Sequence, residues 1–479
     1  MLFNSIDFAV FLPIVFVLYW YVAQKNLQLQ NLVLVVASYV FYGWWDYRFL
    51  VLIAFSSMVD YTIGLQLRKT DRALVRKSLL WLSIFINLGF LGFFKYYNFF
   101  IDNFVAAFSF FGQNIKPNTL HIILPVGISF YTFQTLSYTI DVYRQKLEPS
   151  KSVVSFFAFV SFFPQLVAGP IERATNLLPQ FYTKRQFHYS KAVDGCRQIL
   201  WGLFKKIVIA DNCATYANEI FNNHTTYSGS TLFLGALFFT FQIYGDFSGY
   251  SDIAIGTARL FGFNLKQNFA FPYFSRDIAE FWRRWHISLS TWFRDYVYIP
   301  LGGSRVGTWQ KIRNVFIIFL VSGFWHGANW TFIVWGFLNA LYFLPVLLSN
   351  KNRTHLNIAA QHTLLPSLKE VFKILTTFLL TVLAWVFFRA ESVMHAISYI
   401  KNIFSKSLVS LPEIRPTNVI ILISVFLILE WIGRKQQYAI EIFLLEKPKV
   451  LRWLFYMVTI VTIFIFSSTE KQEFIYFQF

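Results

Sequence analysis

The chain reads as an all-α polytopic membrane protein, and three observations carry that reading. Of its 479 residues, 56% are hydrophobic and only 14% charged, and the mean hydropathy is +0.49. That is more apolar surface than a soluble fold can cover. The apolar residues gather into runs near 8–23, 31–46, 49–66, 79–94, 120–140, 153–169, 197–213, 231–248, 315–348, 371–388, 417–432 and 450–467. At about 20 residues per crossing these predict roughly eleven to thirteen traverses, several short enough to be tilted, re-entrant or half-spans. The basic residues fall in short clusters between the runs, as the positive-inside bias requires.

The first run carries Asp7, lacks a basic leader and continues from Phe8 to Val22 without a small-residue cleavage site. It reads as a first span and not as a removed signal peptide. Arg68, Lys69, Arg72, Arg76 and Lys77 follow the third run. Placed in the cytoplasm, they put the N-terminus outside, with Lys25 facing in. Arg144, Lys146 and Lys151, then Lys184 and Arg185, Lys351 and Arg353, and Arg434 to Arg452 mark further cytoplasmic returns. The last run then exits and leaves the tail from Glu470 to Phe479 outside. This count takes 153–169 as re-entrant and 315–348 as two traverses. The net charge of +18 is thereby explained by topology, and a nucleic-acid-binding module is excluded because no single face or segment collects the basic residues.

Cys196 and Cys213 form no CxxC pair. On one continuous helix their spacing puts them roughly 25 Å apart, too far for a disulfide, and no thiolate metal site is expected. No repeat or long linker breaks the chain, so residues 1–479 read as a single integral-membrane domain. Its one long stretch without a clear span runs from about Gly256 to Arg313. There Trp282, Trp285, Leu289, Trp292 and Tyr296 recur at helical steps, interrupted by Arg283, Arg284, Arg294 and Asp295. The spacing predicts one amphipathic helix, lying at the membrane interface or lining a cavity.

Two histidines are the candidate chemistry, because ionisable groups at membrane depth are costly to bury. His286 falls on the aromatic face of that predicted helix, where a neutral imidazole either hydrogen-bonds a ligand or serves as a satisfied structural group. His326 sits in Gly323-Phe-Trp-His-Gly-Ala-Asn329, whose small residues let a substrate or another backbone approach the ring. It reads either as a packed histidine bridging two helices or as a general base or acid, for which an imidazole is suited near neutral pH. The C-terminal Phe474-Ile-Tyr-Phe-Gln-Phe479 reads by itself as an aromatic interfacial anchor.

The two histidine blocks carry a resemblance. Gln267-Asn-Phe-Ala-Phe-Pro-Tyr273, then Phe281-Trp-Arg-Arg-Trp-His286 through Phe293-Arg-Asp-Tyr296 to Gly303, then Gly323-Phe-Trp-His326-Gly-Ala-Asn-Trp330 resemble the membrane-bound O-acyltransferase family in its bacterial alginate O-acetyltransferase branch. The match is strongest over about 265–340, and Phe162 to Pro170, Tyr244 to Asp252 and the span count fit the same branch. The resemblance implies a ring of tilted helices around a central funnel, with His326 catalytic and His286 its partner nearer the cytoplasm. It implies an acyltransferase of the bacterial inner membrane with no tightly bound cofactor and no metal. The donor would be a cytoplasmic thioester, acetyl-CoA, whose phosphates Arg283, Arg284 and Arg294 would contact. Tyr476 would carry the acyl group as a tyrosyl ester, since a phenol deprotonated by a nearby base attacks a thioester and its ester then leaves readily. An extracytoplasmic SGNH-hydrolase-like partner and the polysaccharide secretion machinery would complete O-acetylation of a secreted polymer.

Two rivals share parts of the pattern. A teichoic-acid D-alanyl transferase resembles the Arg-Trp-His and Phe-Arg-Asp-Tyr elements, but there the tail motif lies on a separate peptide. A transporter or flippase also carries intramembrane His and Arg in Gly-interrupted helices, and would show inverted repeats that this sequence lacks.

Overall fold

The computed structural model describes residues 1–110, 120, 122–167, 169–467 and 474–475, and among them it contains helices and no strand. The helices are α1 (Ile6–Val17), α2 (Leu27–Gly43), α3 (Phe49–Lys69), α4 (Ala73–Leu91), α5 (Tyr97–Phe110), α6 (Ile128–Tyr143), α7 (Val153–Ser161), α8 (Phe163–Leu166), α9 (Ala174–Leu177), α10 (Tyr189–Leu203), α11 (Asp211–Asn222), α12 (Gly229–Leu260), α13 (Ile278–Arg284), α14 (Ile287–Phe293), α15 (Thr308–His326), α16 (Trp330–Leu348), α17 (Leu368–Arg389), α18 (Val393–Ile403), α19 (Thr417–Gly433) and α20 (Lys449–Ile465). They form two compact units, Met1–Ala192 with Thr257–Leu265, and Val193–Gly256 with Lys266–Phe479.

Among the described residues, four helices are long and apolar enough to cross a membrane: Phe49–Lys69, Ala73–Ser109, Trp330–Leu348 and Leu368–Arg389; shorter apolar helices run over Ile6–Val22, Leu27–Gly43, Val153–Leu166 and Thr417–Gly433. The expected double run at 315–348 resolves into the hairpin α15–α16, and 153–169 into the short pieces α7 and α8. The run expected at 79–94 continues through a π turn at Gly92–Tyr96 into α5. Lys95, Asn98, Asp102 and Asn103 hide that continuation in the sequence.

In the first unit, Ser5 caps α1 by accepting the Phe8 N–H at 3.2 Å. Where α1 ends, Tyr19 and Trp20 donate to the carbonyls of Phe261 and Leu260 at 3.1 and 2.9 Å. Buried Asp60 on α3 accepts from Ser83 and Asn87 on α4 and Thr139 on α6. One carboxylate thus joins three helices, with both of its oxygens hydrogen-bonded in a buried place.

In the second unit, α10 continues through a π-helical segment, Phe204–Ala210, into α11. Cys196 and Cys213 lie on this one continuous stretch. The stretch packs on α12 backbone to backbone: a Cβ on Gly249 would lie 2.8 Å from the Gly202 carbonyl, and one on Gly245 2.9 Å from that of Lys205. Small residues permit such approach between helices. Two buried ion pairs form at this seam, Lys205–Asp252 at 2.5 Å and Lys206–Asp246 at 2.6 Å, and Asp211 joins Lys206 at 2.8 Å.

Candidate active site

The segment expected to be one amphipathic helix is two. α13 stops at Arg284, Trp285 is extended, and His286 takes a left-handed conformation with φ 42° before α14 begins. The cause is the strand-like stretch from Asn268 to Ala270. Its Ala270 N–H donates to the Arg284 carbonyl and its Asn268 carbonyl accepts the Ile287 N–H, both at 2.9 Å. Tertiary bonds replace those that would have continued the helix, and the groups at both ends are satisfied. Trp285 and His286 are therefore buried, not displayed on an interfacial face.

The same break fixes the chemistry of His286. Asn268 Oδ1 accepts the Ser288 backbone N–H at 3.2 Å and the Ser288 hydroxyl at 2.9 Å, while Asn268 Nδ2 donates to Ser251 at 3.2 Å. A backbone N–H can only donate, so that side-chain atom is the oxygen. His286 Nδ1, 3.2 Å from it, therefore carries the proton. Its Nε2 is left carrying the lone pair, buried and without a hydrogen-bond partner among the described residues. Such an atom can accept a hydrogen bond from a bound hydroxyl.

His326 ends α15, with Gly327 extended behind it. A Cβ on Gly323 would lie 2.2 Å from the Phe332 carbonyl, and one on Gly327 2.1 Å from the Phe332 ring. The small residues around His326 thus admit the backbone and a ring of α16, and Asn329 caps that helix by accepting the Thr331 N–H at 3.0 Å. His326 is buried against Trp325, Trp335 and Phe388, with ring centroids 4.9, 5.2 and 5.2 Å away. Trp325 also contacts His286, at 6.2 Å. One indole therefore touches both imidazoles.

Leu289 and Ser290 on α14 and Ser322 on α15 line, with Trp282, Phe319 and Phe343, a cavity with an accessible volume of about 500 Å³ that has Arg283, Arg294 and Arg353 among its polar groups; neither imidazole is among its lining residues. Arg283 spends its donors on the carbonyls of Asn352 and His355 at 2.6 and 2.8 Å, holding the loop that carries Arg353. Arg294 is more than half exposed and pairs with Asp295 at 2.6 Å. Arg284 does not line the cavity; it pairs with buried Glu280 at 2.8 Å, which also holds Arg276. Tyr476 lies outside the described residues. Its neighbours Phe474 and Ile475 are buried.

Sequence reading missed Asn268, Trp325 and Arg353 as parts of the site. The aromatic and polar types of these residues are common throughout the chain, and only the chain crossing at 268–270 singles Asn268 out.

An all-helical membrane protein with two buried imidazoles on one indole, and a cavity of small-molecule size lined by the helices that carry or follow them, has the features of a multi-pass membrane enzyme. The model of the membrane-bound O-acyltransferase family matches residues 16–388, and the chain belongs to that family: it is an acyltransferase and not a transporter. It is 41% identical over 446 residues to the probable alginate O-acetylase AlgI of Pseudomonas aeruginosa, covering 91% of this chain and 82% of that protein. It is 37% identical over 440 residues to the peptidoglycan O-acetyltransferase of Helicobacter pylori, covering 86% and 81%. The teichoic acid D-alanyltransferase of Bacillus subtilis is similar over a shorter stretch, 28% identical over 233 residues, or 46% of this chain.

Proposed function

We propose that this protein transfers an acetyl group from acetyl-CoA, entering from the cytoplasmic side of a bacterial inner membrane, toward a hydroxyl of a secreted polysaccharide. The observation that carries the reading is the unprotonated, buried Nε2 of His286, in ring contact with the indole that also contacts His326. Similarity over most of the chain to proteins named for O-acetylation of alginate and peptidoglycan supports an acetyl donor and a glycan acceptor.

In this reading the donor enters the cavity between α14 and α15, with Arg294 and Arg353 at the phosphates and Arg283 fixing the loop, and its thioester reaches from there toward the histidines. His326 takes the proton of the attacking hydroxyl, and His286 accepts a hydrogen bond at Nε2. The oxygen attacks the thioester carbonyl, the C–S bond breaks, and the proton passes to the departing thiolate. Tyr476 is the first acceptor, and an SGNH-hydrolase-like partner takes the group onward from a tail on the outer side. The shorter and weaker similarity to the D-alanyltransferase leaves that activity the less favoured reading.

The test is the intact mass of the C-terminal peptide after incubating detergent-solubilised enzyme with acetyl-CoA. An acetyl adduct lost in both His326→Ala and Tyr476→Phe supports the relay. His326-dependent turnover without an adduct means direct transfer, and absence of any His326-dependent turnover overturns the reading.

A further inference from the structure

The tail that precedes Tyr476 is held by a buried charge cluster that the histidine chemistry does not use. Ile475 donates its backbone N–H to Asp246 Oδ2 at 3.0 Å. The other oxygen of Asp246 meets Lys206 Nζ at 2.6 Å, and Asp211 meets the same ammonium at 2.8 Å. Phe474, fully buried, lays its ring 4.4 Å from Tyr250 and 6.2 Å from Phe247. Phe247 in turn stands edge-on to His286 at 4.5 Å. Asp246, Phe247 and Tyr250 are close neighbours on one helix, α12, so a single rigid element carries both the amide acceptor and the ring contacts.

Burying an ion pair is costly, and well-packed apolar residues would serve stability as well. Two carboxylates on one ammonium also leave the cluster with surplus acceptor capacity. Among the described residues of the tail, Ile475 gives it a backbone amide partner. We propose that Asp246, braced by Lys206 and Asp211, is a positioning residue that seats the C-terminal tail at Ile475 for acyl transfer. The seating stands on the geometry; its catalytic consequence rests on the acyl-carrier reading above.

Asp246→Asn is the discriminating variant. An amide offers one oxygen, which turns to the Lys206 ammonium, the stronger charge-assisted partner, so the Ile475 N–H is left facing a donor and the tail bond is the one lost. Asp252→Asn is the comparison, because it breaks the neighbouring buried pair with Lys205, and among the described residues Asp252 has no hydrogen bond to the tail. Ile475→Pro removes the tail's donor and leaves the cluster intact.

The experiment measures hydrogen exchange of the C-terminal peptide in the full-length detergent-solubilised enzyme, together with kcat and KM for acetyl-CoA. We expect exchange at Ile475 to quicken at least about tenfold in Asp246→Asn and not in Asp252→Asn. We expect kcat to fall by a similar factor in Asp246→Asn and Ile475→Pro while KM for acetyl-CoA holds. Unchanged exchange in Asp246→Asn, or native kcat in both Asp246→Asn and Ile475→Pro, overturns the proposal. Asp246-dependent exchange and kcat with no acetyl on the native tail would overturn the acyl-carrier reading and leave the seat standing.

Discussion

Asn268 Oδ1 lies 3.2 Å from His286 Nδ1 and simultaneously accepts the Ser288 N–H, so one side chain sets both the tautomer of the imidazole and the break in the helix that presents it. Asn268→Leu deletes the acceptor and strands the Nδ1–H and the Ser288 N–H in a buried place. Loss of a buried partner costs about 1–3 kcal/mol. We expect kcat for acetyl transfer to drop about tenfold to a hundredfold, with a lowered melting temperature, read by turnover and thermal unfolding in detergent. Native kcat in this variant would remove Asn268 from the site.

The α15–α16 hairpin that carries His326 depends on the absence of side chains at its crossing. Gly323→Ala drives a methyl group to 2.2 Å from the Phe332 carbonyl, and overpacking of this kind costs about 1–3 kcal/mol. At Gly89 on α4 a methyl would meet nothing within 4 Å, and Gly89→Ala should gain about 0.5–1 kcal/mol from helix propensity. Melting curves of the two variants, moving in opposite directions, check both statements.

The arginines near the cavity separate into two kinds. Arg353→Ala should raise KM for acetyl-CoA about tenfold with kcat little changed, as expected for a charge-assisted contact made before and during reaction. Arg284→Ala, by contrast, leaves buried Glu280 with Arg276 alone; it should lower stability and leave KM unaltered. A steady-state titration of acetyl-CoA with each variant distinguishes donor binding from scaffold support.

The loop before α19 carries a pH dependence of known sign. Hydrogen bonds from Ser228 and Thr231 hold the Glu413 carboxyl below its usual pKa. A depressed folded pKa stabilises above the unfolded value, and that contribution is lost as pH falls through the folded value. Proteolysis of the 405–416 loop should therefore rise on acidification below the ordinary glutamate range. Glu413→Gln should show the faster cleavage already at neutral pH and no further acid dependence from this group.

Family, helical class and the two histidine blocks are legible in the sequence, because apolar runs and the Arg-Trp-His and Trp-His-Gly spacings are local patterns. The structure of the insert is not. Period alone favours one helix through Trp282 and Tyr296, and nothing near His286 announces that Asn268, eighteen residues earlier, will take over its backbone bonds. The short hidden helix after Lys95 and the engagement of Arg284 by Glu280 escape for the same reason: each is decided by a partner or a continuation that composition does not show. The runs at 197–213 and 231–248 are correctly helical, but their hydropathy conceals that Lys205, Lys206, Asp246 and Asp252 are turned toward each other.

The π-helical segment Phe204–Ala210 supplies Lys205 and Lys206 and hands the chain directly to Asp211. A π turn winds more residues per turn than an α-helix. Five residues of regular α-helix turn about 500°, so without the π winding Asp211 would stand about 140° round the helix from Lys206, though both would still be present in the chain. The cluster is thus encoded partly by how the helix is wound. A comparison of relatives by residue identity alone would count it intact in a protein whose helix ran regularly through this stretch and had already dismantled it.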